Sequence, residues 1–499
     1  MTIKIDGTSL TLEEVVRVAR EYKKVELDGE ARVKMIQSRE LIESILAEKK
    51  VVYGVNTGFG KLSNVSVSED EIDLLQYNLV VSCVSGVGDP LPEEVVRAML
   101  LLRANSLASG FSGVRPLLVE TMLEMLNKKV HPVVPGKGSV GASGDLAPLS
   151  HLALVLIGRG EAWYEGKLLP GAVAMQKAGI ATITLKAKEG LSLCNGTQAM
   201  TAIGALAVYD AEKLACLADL FGALSAEALE AVPLAFDHKI HAIRPHPGQV
   251  QTAENMRNLL KGSQIIEEAD HGRVQDAYSL RCIPQVHGAS KDTIAHVKQV
   301  VVREMNSVTD NPLVFPETGE VLSGGNFHGQ PVALVMDFLA IALSELANIS
   351  QLRTERLTNP ALSMGLPAFL VEKSGLNDGY MMAQYTAAAL VSENKVLSHP
   401  ASVDSIPTSA DQEDHVSMGT IAARKCREVL ENTQYVLAIE AICACQGIDF
   451  RGKKPSPGLR KAYEVVRSEV EFLNKDKELS VDFEAVVMLI RGEKLLEEK

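Results

Sequence analysis

The stretch PVALVMDFLAIALSELANISQLRTERLTN, residues 331–359, contains no glycine, and its only proline is the first residue. Proline is tolerated in the first turn of a helix because the missing N–H has no intrahelical partner there. At 1.5 Å per residue, the stretch predicts one helix about 40 Å long. Residues 331–349 are apolar on both faces, which predicts a helix buried among other helices.

Two further stretches have the same character. Residues 197–232 contain no proline and are rich in Ala and Leu, and residues 420–446 lead up to Gly447. Glycine commonly follows the last turn of a helix, so we expect the second helix to end there. Three long helices predict a mainly α fold with a long central helical bundle.

The N-terminal part of the chain has a different pattern. Strand-like segments, KVELDG (24–29), VVYGV (51–55) and HPVVPG (131–136), alternate with glycine-rich turns. We therefore expect a smaller mixed region over residues 1–195, and the central bundle with the C-terminal helices over residues 196–499.

Composition and charge limit the classes of function. Lys and Arg number 50 against 63 Asp and Glu, and the net charge of −13 argues against a nucleic acid partner. The N-terminal sequence MTIKIDGTSLTL lacks the pattern of a signal peptide, and no long uninterrupted apolar run occurs, so we expect no membrane association. Seven scattered cysteines, an odd number, indicate free thiols in the reducing cytoplasm.

No metal site or external cofactor is expected. His238, His241 and His246 are close in sequence, but no Cys or carboxylate of matching spacing flanks them. The adjoining prolines, Pro245 and Pro247, predict a polar loop instead. No lysine motif of the kind that binds pyridoxal phosphate stands out either.

The segment GSVGASGDLAPLSH, residues 138–151, indicates a backbone that can form a reactive ring. By composition alone it is a glycine turn that leads into a helix. Because Gly144 has no Cβ, its backbone nitrogen can approach the carbonyl carbon of Ala142. Loss of water from the resulting ring and from the Ser143 side chain would give an unsaturated five-membered ring. A strained backbone from Gly141 to Gly144 would favour this closure.

The sequence Gly141-Ala142-Ser143-Gly144-Asp145-Leu146 resembles the signature of the histidine and aromatic amino acid ammonia-lyase family. Members of this family form the electrophile 4-methylideneimidazol-5-one (MIO) from Ala-Ser-Gly. Five further motifs resemble the family in the same order, namely YGVNTGFG (53–60), NGTQ (195–198), QDAYSLR (275–281), GGNFHGQ (324–330) and QEDHVSM (412–418). The resemblance therefore covers most of the chain.

The resemblance implies a helical bundle of the ammonia-lyase type, similar to fumarase and aspartase. It also implies an MIO group made from Ala142, Ser143 and Gly144, with a small amino acid as the substrate. Family members are homotetramers whose active sites are shared between chains. Carried over, Tyr53, Ser143 and Asn195 would come from one chain, Tyr278 and Arg281 from a second, and Phe327 and Glu413 from a third.

The same resemblance implies catalytic roles. Tyr53 matches the tyrosine thought to remove the β-proton of the substrate, which requires a phenol that can ionise. Asn195 would donate a hydrogen bond where negative charge develops on the ring oxygen. Tyr278, three residues before Arg281, would share a helical face with it and act at the reacting centre.

The remaining residues concern the substrate. Arg281 matches the carboxylate anchor, since a guanidinium stays charged and can bind both oxygens. Phe327 would line the pocket, while Gln412 and Glu413 would approach the substrate from another side. A carboxylate at position 413 can pair with an imidazole but is poorly suited to a phenyl ring. The resemblance thus implies that ammonia is eliminated from L-histidine to give trans-urocanate, the first step of histidine degradation.

One position departs from the family pattern. Family members that act on histidine carry a histidine, thought to recognise the substrate side chain, where this chain has Cys83. A thiol is smaller than an imidazole and a weaker hydrogen-bond partner. Three alternatives stay open: a neighbouring group recognises the imidazole, histidine activity is poor, or the chain is an MIO-dependent ammonia-lyase or 2,3-aminomutase for a different aromatic amino acid.

Overall fold

A computed structural model describes residues 2–62, 65–270, 272–492 and 494–496. The chain divides into two compact units, each made of three segments. Unit 1 comprises Met1–Tyr209, Lys298–Asp337 and Pro400–Arg424, and unit 2 comprises Asp210–Val297, Phe338–His399 and Lys425–Lys499. The division expected near residue 195 concerns two consecutive sequence regions and stays a prediction.

Long helices dominate the described part of the chain, which is 58% helical. The four longest are Gln198–Ala228, Ile283–Met305, Gln330–Thr358 and Gly419–Arg451. The helices predicted over residues 331–359 and 197–232 are therefore present, each within a few residues of its expected bounds. The prediction of a mainly α fold is confirmed.

The helix Gln330–Thr358 is long and apolar enough to cross a membrane by length and composition alone. However, 67% of its most apolar window is buried inside the chain. Burial on this scale is typical of a core helix that packs on several sides.

The helix Gly419–Arg451 continues past Gly447, so the expected end at this glycine is wrong. A Cβ at Gly447 would lie 3.0 Å from the Cβ of Ala228 and 3.2 Å from Cδ1 of Leu366. Glycine is therefore used here for close packing between helices rather than as a helix end.

Unit 1 contains all the described strands, which form four small sheets. The strands are Ile3–Ile5, Val25–Leu27, Val87–Pro90, His131–Pro132, Pro135–Lys137, Glu161–Tyr164, Lys167–Pro170, Leu313–Phe315 and Glu320–Leu322. Ile3–Ile5 pairs in parallel with Val25–Leu27, and the other sheets are antiparallel. The strand-like segments at 24–29 and 131–136 thus contain strands.

The third strand-like segment, VVYGV at 51–55, is a turn, and that prediction is wrong. Gly54 has a φ of +74°, which a strand does not allow. The Asn56 side chain closes the turn because its Oδ1 accepts from Val52 N at 2.9 Å and its Nδ2 donates to the Lys50 carbonyl at 2.9 Å. These local bonds replace the bonds of a strand ladder.

Among the shorter helices of unit 1, Glu93–Ala108 is buried at every residue from Val95 to Ala108 and packs against Leu12–Glu21 and Pro116–Asn127. The others are Leu12–Glu21, Gly29–Ala47, Ile72–Ser82, Pro116–Asn127, Leu146–Leu156, Gly171–Lys177 and Glu189–Cys194, with 3₁₀ turns at Gly60–Leu62 and Glu69–Glu71.

Unit 2 contains helical segments and a buried ion pair. Its shorter helices are His238–Ala242, Pro247–Leu260, Gln264–Glu267, Tyr278–Arg281, Met381–Leu397, Arg460–Glu469 and Ser480–Arg491, with 3₁₀ turns at Pro233–Phe236 and Ala368–Leu370. Arg353 and Glu440, whose side chains are fully buried, form an ion pair with Nη2 and Oε2 2.8 Å apart. Ser225 Oγ also donates to Glu440 Oε1 at 2.7 Å, so the pair joins three of the long helices.

We expect Gly447→Val to lower the free energy of unfolding by about 1–3 kcal/mol, because the added side chain overpacks the contact with Ala228. Urea unfolding followed by circular dichroism measures this change. Gly29→Val is the matched control, since a Cβ at Gly29 meets nothing within 4 Å. Equal stability of the two variants would show that the contact at Gly447 is not close.

Candidate active site

The segment Gly141-Ala142-Ser143-Gly144 forms a tight turn whose two glycines form an antiparallel bridge. Both glycines have a φ of +73°. A Cβ at Gly144 would lie 2.1 Å from the carbonyl oxygen of Gly196, and a Cβ at Gly141 would lie 2.2 Å from Ser417 Oγ. Only glycine fits at either position, because both the backbone conformation and the space exclude a side chain.

Asp145 anchors the turn from its C-terminal side. Its backbone N–H donates to the Gly196 carbonyl at 2.6 Å. Its fully buried carboxylate accepts from Met200 N at 2.9 Å and from the Thr420 hydroxyl. Burial raises the pKa of Asp145 to about 6, although the bonds from Thr420 and Met200 lower it. Asp145 therefore supports the turn, and its ionisation in this buried place lowers the stability of the fold.

Ser143 contacts a carboxylate from a distant part of the chain. Its Oγ donates a hydrogen bond to Glu413 Oε1 at 3.2 Å. The other oxygen of Glu413, Oε2, accepts from Thr408 Oγ1 at 3.0 Å. Both Ser143 and Glu413 are half-buried, whereas the neighbouring Gln412 is exposed. The structure thus brings the serine of the sequence motif together with the predicted substrate-binding glutamate in one chain, so the expectation that Glu413 comes from a third chain is wrong.

Tyr53 lies in a turn that adjoins the segment before Glu413. The Gly60 N–H donates to Tyr53 Oη at 3.3 Å. A Cβ at Gly60 would lie 2.9 Å from Ser409 Oγ, so the segment 53–60 is close to the segment that leads to Glu413. Tyr53 is half-buried.

Asn195 directly follows the helix Glu189–Cys194 and is buried. Its carbonyl accepts from Arg103 Nη1 at 2.9 Å, and its Nδ2 lies 3.5 Å from the Asn311 carbonyl. Its Oδ1 is buried and has no hydrogen-bond partner within the described part of the chain. An amide with one unsatisfied end is suited to a ligand or a modified group beside it.

Phe327 reaches the turn through its backbone. Its carbonyl oxygen would lie 3.0 Å from a Cβ at Gly144, and its side chain is half-buried. Phe327 is therefore next to the turn, on the side where Gly196 also approaches.

Cys83 follows the helix Ile72–Ser82 and is half-buried. Burial raises the pKa of its thiol, the hydroxyls of Ser82 and Ser150 lower it, and the negative charge of Glu413 raises it further. Ser150 also acts on Cys194, a fully buried thiol whose pKa burial raises to about 12. Cys83 thus lies within electrostatic reach of Glu413.

Tyr278 and Arg281 lie in unit 2, on the short helix Tyr278–Arg281. The guanidinium carbon of Arg281 is 4.7 Å from the centre of the Tyr278 ring, so the two share a face as predicted. Tyr278 is 70% exposed, while Arg281 Nε is buried without a hydrogen-bond partner among the described residues. All other predicted site residues are in unit 1.

Two contributors to the site were not predicted from the sequence. Asp145 belongs to the GASGDL motif, and a buried carboxylate directly after a glycine turn could have been suspected. Thr408 has no such signal, because its bond to Glu413 depends on the path of the chain between them.

The raised pKa of Asp145 predicts how stability changes with pH. The folded-state pKa of about 6 exceeds the usual 3.8, so the charge on Asp145 lowers the stability of the fold as pH rises from about 4 to about 6. Asp145→Asn removes this ionisation. We expect the unfolding free energy of the variant, relative to the unchanged protein, to rise by up to about 3 kcal/mol over that interval. Urea unfolding of both proteins at pH 4–7 tests this, and a constant difference would contradict it.

Comparisons with known proteins place the chain among enzymes. A model of the family described as aromatic amino acid lyase matches residues 10–468. A histidine ammonia-lyase from Alkaliphilus metalliredigens is 56% identical over 497 residues, covering 99% of this chain and 98% of the relative.

Solved structures agree with the sequence matches. The crystal structure of histidine ammonia-lyase from Trypanosoma cruzi matches with a TM-score of 0.93 and 44% identity, covering 99% of this chain and 94% of that one. A tyrosine aminomutase from Streptomyces globisporus matches with a TM-score of 0.94 and 41% identity, covering 99% and 98%. With the family model matching most of its length, this chain belongs to the aromatic amino acid lyase family.

Proposed function

We propose that this chain is a histidine ammonia-lyase, which eliminates ammonia from L-histidine to give trans-urocanate in the first step of histidine degradation. Family membership makes it a carbon–nitrogen lyase. The observation that carries the choice of histidine is Glu413, whose Oε1 is 3.2 Å from Ser143 Oγ. A half-buried carboxylate at this place can pair with an imidazole, whereas a phenyl ring offers no group that Oε1 could bond.

Ala142, Ser143 and Gly144 are the residues from which the family's MIO group would form. Once formed, MIO supplies an electrophilic carbon to which the amine of the substrate adds. Two features support its formation here: the bridge between Gly141 and Gly144, and the absence of room for a Cβ at Gly144. No external cofactor or metal is needed for this proposal.

The other side chains hold the substrate and move its proton. Tyr53 removes the β-proton, and the Gly60 N–H that donates to its Oη at 3.3 Å holds this oxygen in place. The Asn195 amide supports the reacting group with a hydrogen bond. Glu413 binds the imidazole of the substrate, with Gln412 beside it, while Phe327 lines the pocket.

Arg281 binds the substrate carboxylate, and Tyr278 acts beside it at the reacting centre. We infer a homotetramer with active sites shared between chains, in which Tyr278 and Arg281 are supplied by a second chain. The 70% exposure of Tyr278 supports this assignment, since its side chain is open to a further contact. We place the protein in the cytoplasm, where its free cysteines would stay reduced.

The first test is incubation of the purified protein with L-histidine, L-tyrosine and L-phenylalanine separately, with products identified by ultraviolet absorbance and chromatography. We expect urocanate as the dominant product. Ser143→Ala should lower turnover by several orders of magnitude and keep the circular dichroism spectrum, because it removes the oxygen lost in MIO formation. The intact mass should show the loss of two waters only in the unchanged protein. Near-normal turnover by Ser143→Ala would reject the proposed electrophile.

Cys83 bears on the choice between substrates. We expect Cys83→His to raise kcat/KM for histidine about 10-fold, the value of one added hydrogen bond. Cys83→Ala is the control, since it removes the thiol without adding an imidazole, and it should give no gain.

A loss with Cys83→His, together with turnover of tyrosine or phenylalanine by the unchanged protein, would favour the second candidate. That candidate is an ammonia-lyase or 2,3-aminomutase for another aromatic amino acid, and the place of Cys83 near Glu413 is the observation behind it.

A further inference from the structure

The Glu413 carboxylate is held at both oxygens by different hydroxyls. Oε1 accepts from Ser143 Oγ at 3.2 Å, and Oε2 accepts from Thr408 Oγ1 at 3.0 Å. If Ser143 loses its hydroxyl when the electrophile forms, the Thr408 hydroxyl is the one that still bonds to Glu413. Because the Thr408 hydroxyl bonds to Oε2, the other oxygen of Glu413, Oε1, stays directed at residue 143.

Thr408 and Glu413 are also paired through their backbones. Thr408 N donates to the Glu413 carbonyl at 2.9 Å, and Glu413 N donates to the Thr408 carbonyl at 3.2 Å. These bonds close the segment 408–413 into a loop. The positions of the two Cα atoms are therefore set by the main chain, and the Thr408 hydroxyl is left to orient the Glu413 side chain.

The loop between them has an unusual backbone. Ser409, Ala410 and Asp411 have φ values of +54°, +52° and +64°, in the left-handed region that residues with a Cβ rarely adopt. Three such residues in succession persist only where the ends are fixed. The backbone pairing of Thr408 with Glu413 supplies this restraint, and Gly60 packs against Ser409 from outside the loop.

We propose that Thr408 is a specificity-positioning residue, which orients the Glu413 carboxylate toward the ring nitrogens of the substrate. This inference rests on the proposed function. A glutamate side chain has three rotatable bonds, and without the Thr408 hydroxyl its carboxylate would sample several directions. Recognition of an imidazole would weaken, whereas binding of a phenyl ring would not change, because the phenyl ring has no partner for Oε1.

The test compares two inhibitors of histidine turnover that share the same propenoate chain. Urocanate carries an imidazole ring, and trans-cinnamate carries a phenyl ring. We expect Thr408→Val, which keeps the shape but removes the hydroxyl, to weaken urocanate inhibition about 10-fold and leave cinnamate inhibition unchanged. Thr408→Ser, which keeps the hydroxyl, should restore urocanate inhibition. Equal weakening of both inhibitors would assign Thr408 a role only in the fold of the loop, and would overturn the proposal.

A double-mutant cycle shows whether Thr408 acts through Glu413. In a Glu413→Ala background, Thr408→Val should cause no further loss of urocanate inhibition. The same 10-fold loss in that background would overturn the proposal. Failure of the proposed function gives a different result, since the unchanged protein would then not turn over histidine and would bind cinnamate more tightly than urocanate.

Discussion

Gly144 packs so closely against the Gly196 carbonyl that it could not carry a side chain, and the geometry of the turn depends on this contact. A Cβ at Gly196 would lie 2.3 Å from Arg103 Nη1, just as a Cβ at Gly144 would collide with the Gly196 carbonyl. The contact holds the turn against the residue that follows Asn195, while Asp145 bonds the same carbonyl. The reacting residues are therefore positioned by backbone packing, and the side chains around them only refine the arrangement.

In unit 2, a buried ion pair lies next to the helix Tyr278–Arg281. Arg353 pairs with Glu440, and its Nη1 also lies 3.5 Å from the carbonyl of Ser279, between Tyr278 and Arg281. A buried ion pair contributes little net stability but is costly to break, because one charge would be left without a partner. It therefore keeps the helix Tyr278–Arg281 at a fixed place beside the long helices of that unit.

The sequence predicted three of the four longest helices, because long apolar stretches without an internal proline leave few other structures open. It failed at Gly447 and at 51–55, where distant packing and a side-chain bond decide the conformation. The site motifs identified which residues to consider, and the structure groups nine of them in unit 1. The bond from Thr408 to Glu413 could not be predicted from the local sequence. None of Ser409, Ala410 and Asp411 is a glycine, the residue that usually indicates a left-handed backbone.

The raised pKa of Cys83 affects the reactivity of its thiol. A thiolate is a strong nucleophile, whereas a protonated thiol is not. Burial and the nearby Glu413 charge both keep Cys83 protonated, as burial does for Cys194. An ionised Cys83 would compete with the substrate amine for the electrophile proposed at Ser143. Addition of its sulfur to the electrophilic carbon would block the enzyme. The raised pKa of Cys83 thus favours the form of the thiol that does not compete with the substrate amine.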